Sequence, residues 1–370
     1  MTRALHVGMD VRMWHNTGIG RYIRALVREL PALGVRLSVW GPPEILAEPA
    51  LADTSRRTLA APLHSLAEQL ALAGDVPRSG VDLFHAPHLN MPLLGDFPRV
   101  ATLHDLIPLH HPDTLSRAGR LYFRLMALGL VPRRARRILA NSEWTKSDLV
   151  AHGVSADRIV AIPLGVDEEF FSPPAPDRVR AILDRLGIGA PYILYAGQRK
   201  PYKNLDTLIE AFARLVGRGE GTSERPLLVL LGRTDPAGPV RQLASRLGIS
   251  RLVVEPGYLP DEAEVRALFA GARAFAFPSR CEGFGLPPLE AMASGVPVVC
   301  ATGTGLAEAV GPEGLQVDPD DVLEWSQALE QVLFNSDFRH RLIPAGRRRA
   351  ELFRWPDTAR RTLDVYTQAL

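Results

Sequence analysis

Short apolar runs alternate with longer amphipathic stretches in both halves of the chain. The stretch from Asn204 to Val216 has apolar residues at helical spacing, namely Leu205, Leu208, Ile209, Phe212, Leu215 and Val216. Strand-like runs rich in apolar or β-branched residues are LHVGMD, VRLSVW, VDLFHA, RVATLH, RILANS, RIVAIPLGV, YILYAG, PLLVLLG, RLVVEPG, AFAFPS and VPVVCA. Strands separated by helices form parallel sheets. The pattern therefore predicts an α/β protein with a parallel sheet in each half.

The chain is long enough for two domains. Its 370 residues exceed the size at which a single hydrophobic core stops growing. The segment EEFFSPPAPDRVR (168–180) is rich in proline and charge, as linkers between domains are. We therefore predict domains at 1–172 and 173–353. Open α/β domains bind ligands at the carboxyl ends of their strands, so we expect the two domains to face an interdomain cleft.

Composition excludes several classes of protein. Hydrophobic residues make up 46% of the chain and charged residues 23%, and the net charge of +2 gives no general reason to expect nucleic acid as a partner. No run of about 18 uncharged apolar residues predicts a membrane span. The N-terminal residues lack the features of a signal peptide, and Cys281 and Cys300 fit neither a disulfide framework nor a metal cluster. These features predict a cytoplasmic protein.

Residues 117–137 have an uneven distribution of charge. No acidic residue lies between Asp113 and Glu143, whereas the arginines there are Arg117, Arg120, Arg124, Arg133, Arg134, Arg136 and Arg137. The stretch GRLYFRLMALGLVPRRARR combines this charge with an apolar surface, as an interfacial helix on anionic lipid does. An amphipathic core helix with a solvated basic end explains the same pattern. Peripheral contact with the inner face of the membrane therefore stays one of two interpretations.

Two carboxylates stand eight positions apart in SRCEGFGLPPLEA (279–291). The preceding AFAFPS predicts a buried strand, the Gly-Phe-Gly a turn, and Pro287 or Pro288 the start of a helix. Glu282 should then lie in a strand-to-helix loop and Glu290 in the first turns of the helix. Such a loop presents free backbone N–H groups at the positive end of a helix, where oxygen-rich or anionic ligands bind. A plain connector with solvated glutamates is the alternative.

A cluster of cations follows the run YILYAG. Arg199, Lys200 and Lys203 come immediately before a helix whose expected N-cap is Asn204. Cations at a helix N-terminus are typical of a diphosphate site, where they offset the charge of a leaving group. Lys203 is the strongest candidate because it is nearest to the cap. A solvated basic turn is the alternative.

Polar groups also follow the strands of the first half. Gly18 and Gly20 predict a glycine-rich turn, with Arg21 entering the next helix. The long spacing from the strand and the missing third glycine argue against a dinucleotide fingerprint, so we expect no nicotinamide cofactor. His104 ends a strand, where it can hydrogen-bond a ligand, transfer a proton or serve as an ordinary turn residue. Ser142 follows another strand and is either near a ligand or the cap of the next helix.

Together these segments resemble the retaining glycosyltransferases of family 4, whose two Rossmann-like domains form the GT-B fold. The resemblance covers nearly the whole chain and includes TGIGRYIRAL, TLHDLIPLHHP, ANSEWTKSDL, IPLGVD, YAGQRKPYKNLDTLIEAF, PSRCEGFGLPPLEAMASGVPVV, VDPDD and FRWPDTARRTLDVY. The EGFGLPPLE stretch is the most specific, because it matches the family's E-x7-E element. The resemblance implies that domain 1–172 binds the acceptor, completed by a last helix at about 354–370. Domain 173–353 would bind the nucleotide diphosphate sugar.

The resemblance also implies roles for the carboxylates and the loop between them. Glu290 would hold the ribose hydroxyl groups, and Glu282 would hold hydroxyl groups of the transferred sugar. The backbone N–H groups of Gly283, Phe284 and Gly285 would assist at the sugar.

The remaining implied roles concern the diphosphate and the first domain. Arg199 and Lys203 would clamp the diphosphate, while His104 would lie beside the transferred sugar with Ser142 nearby. The residues that would line the cleft from the N-terminal domain are Gly18, Gly20 and Arg21. The family transfers sugar with retention and without a metal, so neither a metal site nor a cofactor beyond the substrate nucleotide is implied.

Two positions depart from the family pattern. Arg280 and Cys281 precede Glu282 where the family often has an aromatic residue, and Leu164 replaces an asparagine common before Gly-Val-Asp. The first departure concerns the sugar pocket and the second the hinge, and neither removes a group implied to act in transfer.

The segments HDLIPLHHP and EGFGLPPLEAMA resemble those of bacterial enzymes that add mannose or related sugars to surface polysaccharide. This favours GDP-mannose as donor and a glycan or lipid-linked acceptor, with His88 and Asn90 as candidate acceptor contacts. One alternative is a two-domain sugar or nucleotide binder without turnover. The other is a glycoside hydrolase with paired carboxylates, in which the cationic turn at Arg199 to Lys203 would have no role.

Overall fold

A computed structural model of the protein describes residues 3–218, 225–234 and 238–370. The chain forms two compact units, the first made of Met1–Gly165 with Arg354–Leu370 and the second of Val166–Phe353. The first unit therefore ends seven residues before the predicted boundary at 172. The reason lies in packing: the Val166 N–H donates to the Phe353 carbonyl (3.0 Å), and the Phe170 ring packs edge-on against Phe269.

Each unit contains a parallel sheet with helices between its strands. In the first unit the strands are β1 (His6–Asp10), β2 (Arg36–Gly41), β3 (Ser55–Thr58), β4 (Leu83–Ala86), β5 (Arg99–Leu103), β6 (Arg137–Ala140) and β7 (Ile159–Ala161), in the order β3-β2-β1-β4-β5-β6-β7. In the second they are β8 (Tyr192–Ala196), β9 (Leu227–Leu231), β10 (Val253–Gly257), β11 (Ala274–Phe277), β12 (Val298–Ala301) and β13 (Leu315–Val317), in the order β10-β9-β8-β11-β12-β13. All neighbouring strands pair in parallel. In both sheets the order reverses at the first strand, as in Rossmann folds, which confirms the predicted α/β class.

Helices connect these strands. They are α1 (Gly18–Glu29), α2 (Pro43–Leu46), α3 (Leu66–Arg78), α4 (Ile107–His110), α5 (Arg117–Arg124), α6 (Val131–Arg134), α7 (Glu143–Ala151), α8 (Pro176–Arg185), α9 (Leu205–Arg218), α10 (Pro239–Arg246), α11 (Glu262–Gly271), α12 (Leu286–Ala293), α13 (Thr304–Val310), α14 (Val322–Phe334), α15 (Ser336–Ala350) and α16 (Trp355–Gln368). A π-helical stretch, Leu125–Leu130, joins α5 to α6. None of the helices in the described ranges is long and apolar enough to cross a bilayer.

Two helix starts lie earlier than predicted. Helix α1 begins at Gly18, so the glycines form its first turn rather than a turn before it. A Cβ on Gly20 would lie 2.3 Å from the Trp14 carbonyl oxygen, so the absence of a side chain lets this helix start pack on the loop after β1. Helix α12 begins at Leu286, and Pro287 is its second residue.

The second unit has an aromatic ladder in its core. The rings of Tyr195, Phe277, Phe275 and Phe269 follow one another at centroid distances of 5.3–5.9 Å, with interplanar angles near 20°. These side chains come from β8, β11 and α11 and are at most 1% exposed. Offset stacking of buried rings stabilises such a core beyond the effect of area alone. The ladder ends beneath the loops that follow β8 and β11.

Candidate active site

Lys203 and Glu282 form an ion pair in the second unit. Lys203 Nζ donates to Glu282 Oε1, and the two side chains are 12% and 13% exposed. Lys203 ends a short turn after β8, whereas Glu282 follows β11, the neighbouring strand in the sheet. The Arg280 N–H donates to the Tyr202 carbonyl (2.8 Å), which joins the two loops directly. The sheet order therefore brings two predicted site residues into contact.

Two aromatic rings support the Lys203 ammonium group. Nζ lies 5.1 Å from the centroid of Phe277 and 5.2 Å from that of Tyr202. An ammonium over aromatic faces is attracted to their negative quadrupoles, most strongly where water is displaced. Sequence reasoning missed both rings, although Phe277 ends the predicted strand AFAFPS and Tyr202 is next to the lysine. The rings and Glu282 together hold the cation at the strand ends.

Arg199 also points along the strand ends. Its Nη1 donates to Glu255 Oε1, and its Nη2 lies 3.5 Å from the Leu230 carbonyl oxygen. Glu255 comes from β10, and its other carboxylate oxygen accepts from Arg241 Nε. Burial by itself raises the pKa of Glu255, but the two guanidinium groups outweigh it, so the net pKa is lowered and the group is ionised at neutral pH. The sequence analysis predicted neither Glu255 nor Arg241 as a site residue. Lys200 is exposed.

Glu290 lies one turn inside α12 and is 3% exposed. The residue before the helix, Gly285, has φ 143°, a conformation that favours glycine. Phe284 is 3% exposed, and its ring packs edge-on against Phe353 at 5.6 Å. The Phe284 side chain therefore packs in the interior of the second unit, and the role of the loop's N–H groups stays a prediction.

The start of α13 packs against this loop. The Gly305 N–H donates to the Glu282 carbonyl (3.0 Å), and a Cβ on Gly305 would lie 2.1 Å from the Gly283 carbonyl oxygen. Only glycine allows this approach without a shift of the loop. Sequence reasoning missed Gly305, although the segment TGTG after VPVVCA contained the signal of another glycine-rich helix start.

In the first unit, His104 is held as a neutral imidazole. Burial, together with the nearby His88, lowers its pKa to about 4, although the hydrogen bond to the Pro87 carbonyl opposes that shift. The Nε2 atom is 3.0 Å from that carbonyl oxygen, which can only accept, so Nε2 carries the proton and Nδ1 keeps a lone pair. Tyr22 from α1 packs edge-on against the ring at 5.3 Å. At neutral pH His104 can accept a hydrogen bond through Nδ1.

Behind His104 lies a buried polar network. Thr102 Oγ1 is 2.8 Å from His85 Nε2 and 3.1 Å from the Tyr22 hydroxyl oxygen, and His85 Nδ1 is 2.7 Å from the Tyr366 hydroxyl oxygen. Burial, with nearby His104 as a lesser cause, lowers the pKa of His85 to about 3, so this ring is also neutral. The network joins α1, β4, β5 and α16 below the loop that carries His104.

Ser142 caps the next helix. Its Oγ accepts from the Thr145 N–H (2.9 Å) at the start of α7, and the residue is fully buried. This is the second of the two interpretations left open by the sequence. Gly18, Gly20 and Arg21 lie in the first turn of α1, and the Gly20 N–H donates to the Asn16 carbonyl before the helix (3.1 Å).

The structure argues against His88 and Asn90 as direct acceptor contacts. They are 3% and 1% exposed. Asn90 Nδ2 donates to Glu68, the Asn90 N–H donates to His88 Nδ1 (3.0 Å), and His88 Nε2 lies 3.3 Å from Asp10 Oδ2. These polar atoms serve the interior of the first unit, where Arg12 bridges Asp10 and Glu68.

The predicted site residues thus fall into two groups, one in each unit. The described part of the chain brings no three His, Cys, Asp or Glu side chains together in a way that could hold a metal ion. The second unit contains the ion pair of Lys203 with Glu282, the ion pair of Arg199 with Glu255, and Glu290 near the start of α12. Such a set can bind an anionic group next to hydroxyl groups.

Two family models match nearly the whole chain. Residues 16–170 match the model described as Glycosyltransferase Family 4, and residues 184–349 match the model described as Glycosyl transferases group 1. The first match covers most of the first unit and the second most of the second unit.

Curated relatives include two mannosyltransferases. The MMP alpha-(1->4)-mannosyltransferase of Mycolicibacterium hassiacum is 36% identical over 293 residues, which cover 74% of this chain and 66% of that protein. The O-antigen chain mannosyltransferase B of Escherichia coli is 32% identical over 294 residues, which cover 77% of this chain and 74% of that protein.

Solved structures share the fold. A crystal structure of Anabaena HepE in complex with UDP and glucose superposes with a TM-score of 0.79 over 98% of this chain and 100% of that one, at 20% identity. The structure of WaaG, a glycosyltransferase involved in lipopolysaccharide biosynthesis, superposes with a TM-score of 0.76 at 17% identity. At these identities the likeness concerns the fold alone.

Proposed function

Since this chain belongs to glycosyltransferase family 4, a retaining family with the GT-B fold that uses nucleotide sugars, we propose that it transfers mannose from GDP-mannose to a hydroxyl group of a glycan or lipid-linked acceptor. The observation that carries the proposal is the contact between Lys203 and Glu282, one group suited to a diphosphate and the other to sugar hydroxyls. The choice of mannose rests on the two mannosyltransferase relatives.

In the proposed reaction the bond between the sugar and the diphosphate breaks while the acceptor hydroxyl attacks from the same face. Arg199 and Lys203 stabilise the negative charge that builds on the leaving diphosphate. Glu282 accepts hydrogen bonds from the sugar, and the backbone of Gly283, Phe284 and Gly285 donates to it. The leaving diphosphate takes the proton of the acceptor, so no separate base is needed, and Arg199 and Lys203 supply the positive charge that a metal ion would otherwise supply.

Other residues bind the rest of the donor in this proposal. Glu290, one turn inside α12, accepts hydrogen bonds from the ribose hydroxyls. His104 is neutral, and its Nδ1 accepts a hydrogen bond from a sugar hydroxyl. The first turn of α1, with Gly18, Gly20 and Arg21, directs the positive end of the helix dipole at anionic or oxygen-rich parts of a ligand. Ser142 acts indirectly, because its hydroxyl caps α7.

We also propose that the first unit binds the acceptor and that α5 contacts an anionic membrane surface during the reaction. Helix α5 and the turn after it expose Leu121 (70%) and Leu125 (51%), and Arg117 and Arg124 are exposed beside them. Exposed leucines with arginines are the side chains that interfacial helices insert into a headgroup region. Contact with the membrane would bring the protein to a lipid-linked acceptor.

The donor is tested with a panel of GDP- and UDP-sugars, scored by thermal shift and by release of nucleoside diphosphate. We expect GDP-mannose to raise the midpoint of thermal unfolding most and to give the fastest release.

A Lys203→Ala variant should remain folded yet lose about 100-fold or more in turnover, as when one charge-stabilising donor is removed. The matched control is Arg185→Ala, which removes an exposed cation of the same unit. Preference for a UDP-sugar would refute the choice of donor, and near-normal turnover of the lysine variant would refute the role of Lys203.

A further inference from the structure

An acidic side chain with little exposure lies in an otherwise apolar edge strand of the second unit. Glu255 lies in β10 (VVEPG), and its side chain is 4% exposed. Each carboxylate oxygen accepts from a different arginine, Oε1 from Arg199 Nη1 and Oε2 from Arg241 Nε. Burying a carboxylate costs several kcal/mol unless it is paired and hydrogen-bonded, so this glutamate depends on its arginines.

The two arginines differ in their surroundings. The Arg199 side chain is 14% exposed, whereas that of Arg241 is 52% exposed. Arg199 starts beyond the end of β8, passes 3.5 Å from the Leu230 carbonyl oxygen of β9 and ends on β10. The Arg199 side chain therefore reaches from the loop after β8 over β9 to β10, and Glu255 is the anionic group that holds its far end.

We propose that Glu255 is a positioning residue, which restrains Arg199 before the donor binds and weakens the attraction of Arg199 for the nucleoside diphosphate, so that this product can leave. The proposal rests on the proposed function, in which Arg199 contacts the diphosphate. An arginine shared between a protein carboxylate and a ligand is already in place when the ligand arrives, which lowers the entropic cost of binding. The same carboxylate offsets part of the guanidinium charge and so limits how tightly Arg199 holds the product.

A purely structural ion pair predicts a different result. If Glu255 served only to join β8 and β10, its replacement would lower the free energy of unfolding and leave the kinetic constants of the folded fraction unchanged. If Glu255 acts through Arg199, its replacement changes the affinity for nucleoside diphosphate and the turnover number in opposite directions. The two roles are therefore separable by kinetics on folded protein.

The experiment compares Glu255→Gln, Arg199→Ala and the double variant in the full-length chain. The measured quantities are the inhibition constant of GDP, KM for GDP-mannose and kcat. Glutamine keeps the size and one acceptor oxygen but removes the charge. We expect Glu255→Gln to bind GDP about fivefold more tightly or better and to lower kcat by a similar factor, the size of effect that contacting groups reach in double-mutant cycles. In the Arg199→Ala background, Glu255→Gln should alter neither the inhibition constant of GDP nor kcat.

Two further variants serve as a control and as a test of charge against length. Glu264→Gln neutralises another glutamate of this unit that pairs with an arginine, Arg185 (2.5 Å), and both constants should stay at the wild-type value. Glu255→Asp keeps the charge on a shorter side chain, so it should retain wild-type affinity for GDP while kcat falls. If Glu255→Gln does not fold, Glu255→Asp still tests the positioning role through its effect on kcat.

The outcomes separate this inference from the proposed function. Unchanged constants in folded Glu255→Gln overturn the positioning role, as does an equal effect of this change with and without Arg199. Tight GDP binding by Glu255→Asp overturns it as well, because the charge would not be the cause. If Arg199→Ala alone binds GDP and turns over normally, the assigned contact between Arg199 and the diphosphate is wrong, and both proposals about Arg199 are rejected.

Discussion

The protonation of His104 is set mainly by burial. Its pKa of about 4 in the folded protein lies below the ordinary value of 6.5, so the unfolded chain binds a proton between these pH values while the folded chain does not. The free energy of unfolding should therefore fall as the pH drops from about 6.5 towards 4, by up to about 1.4 kcal/mol per pH unit for this residue. Above pH 7 the ring is neutral in both states, and its contribution to the pH dependence vanishes.

This predicts that His104→Gln flattens the pH dependence of stability. Between pH 7 and pH 4.5, wild-type protein should lose about 2 kcal/mol more stability than the variant, measured by urea unfolding at a series of pH values. His15→Gln is the matched control, because the His15 side chain is 66% exposed. Its curve should run parallel to that of the wild type. A His104→Gln curve that is also parallel would show that the buried ring does not resist protonation.

The sequence predicts the charged residues of the candidate site but not the residues that they contact. Lys203 and Glu282 were recognised because each follows a strand, yet their contact depends on β8 and β11 being neighbours in the sheet. Glu255 was hidden in a run that predicts a strand. Its partner Arg199 is 56 positions earlier, and no local pattern connects them. Long-range pairings of this kind follow from the strand order, which hydrophobic periodicity does not specify.

At the scale of elements, the pattern located the central strands and missed two at the edges. Every apolar run that predicted a strand contains one in the structure. The missed strands, β3 (SRRT) and β13 (LQV), each lie at an edge of their sheet. Because β3 is largely exposed, it needs no apolar side chains and has no hydrophobic pattern. An apolar run makes a strand visible in a sequence: the edge strands β7 and β10 have one and are predicted, whereas the exposed β3 has none.

Helix α5 gives a prediction about membrane contact. Replacing Leu121 and Leu125 by serine removes the exposed apolar side chains of this surface without emptying a core, because they are 70% and 51% exposed. The double variant should sediment less with liposomes that contain anionic lipid, since insertion of leucine supplies the apolar part of binding and arginine the electrostatic part. Sedimentation with and without anionic lipid is the measurement.

A matched control comes from the second unit. Leu247 and Leu352 are 39% and 67% exposed there, and their replacement by serine should leave sedimentation unchanged. Binding of the wild type that is equal on zwitterionic liposomes would contradict the role of the arginines. Equal binding by both double variants and the wild type would contradict the role of α5.

At the scale of the whole molecule, the first unit is built from both ends of the chain. Helix α16 belongs to it, although the whole second unit separates α16 from β7 in sequence. Within the first unit, Trp355 is 2% exposed and Tyr366 is fully buried, with its hydroxyl 2.7 Å from His85. Thr358 and Arg361 donate to the carbonyls of Pro163 and Ala161. The core of the first unit is therefore incomplete until the last helix has been synthesised.

We accordingly expect Trp355→Ala to destabilise strands β1, β4 and β5, which lie about 250–350 positions earlier in the sequence. Truncation of a buried tryptophan costs about 3–5 kcal/mol, and here the cavity would open beside Tyr22, whose ring centroid is 6.4 Å away. Hydrogen exchange should rise in peptides from β1, β4 and β5, whereas Arg360→Ala, which removes an exposed side chain of the same helix, should change little. Faster exchange confined to residues 354–370 would mean that α16 frays without loosening the sheet. The network from Tyr366 through His85 and Thr102 to Tyr22 argues for the first result, because it ties α16 to β4, β5 and α1 by hydrogen bonds that solvent cannot replace while the unit is closed.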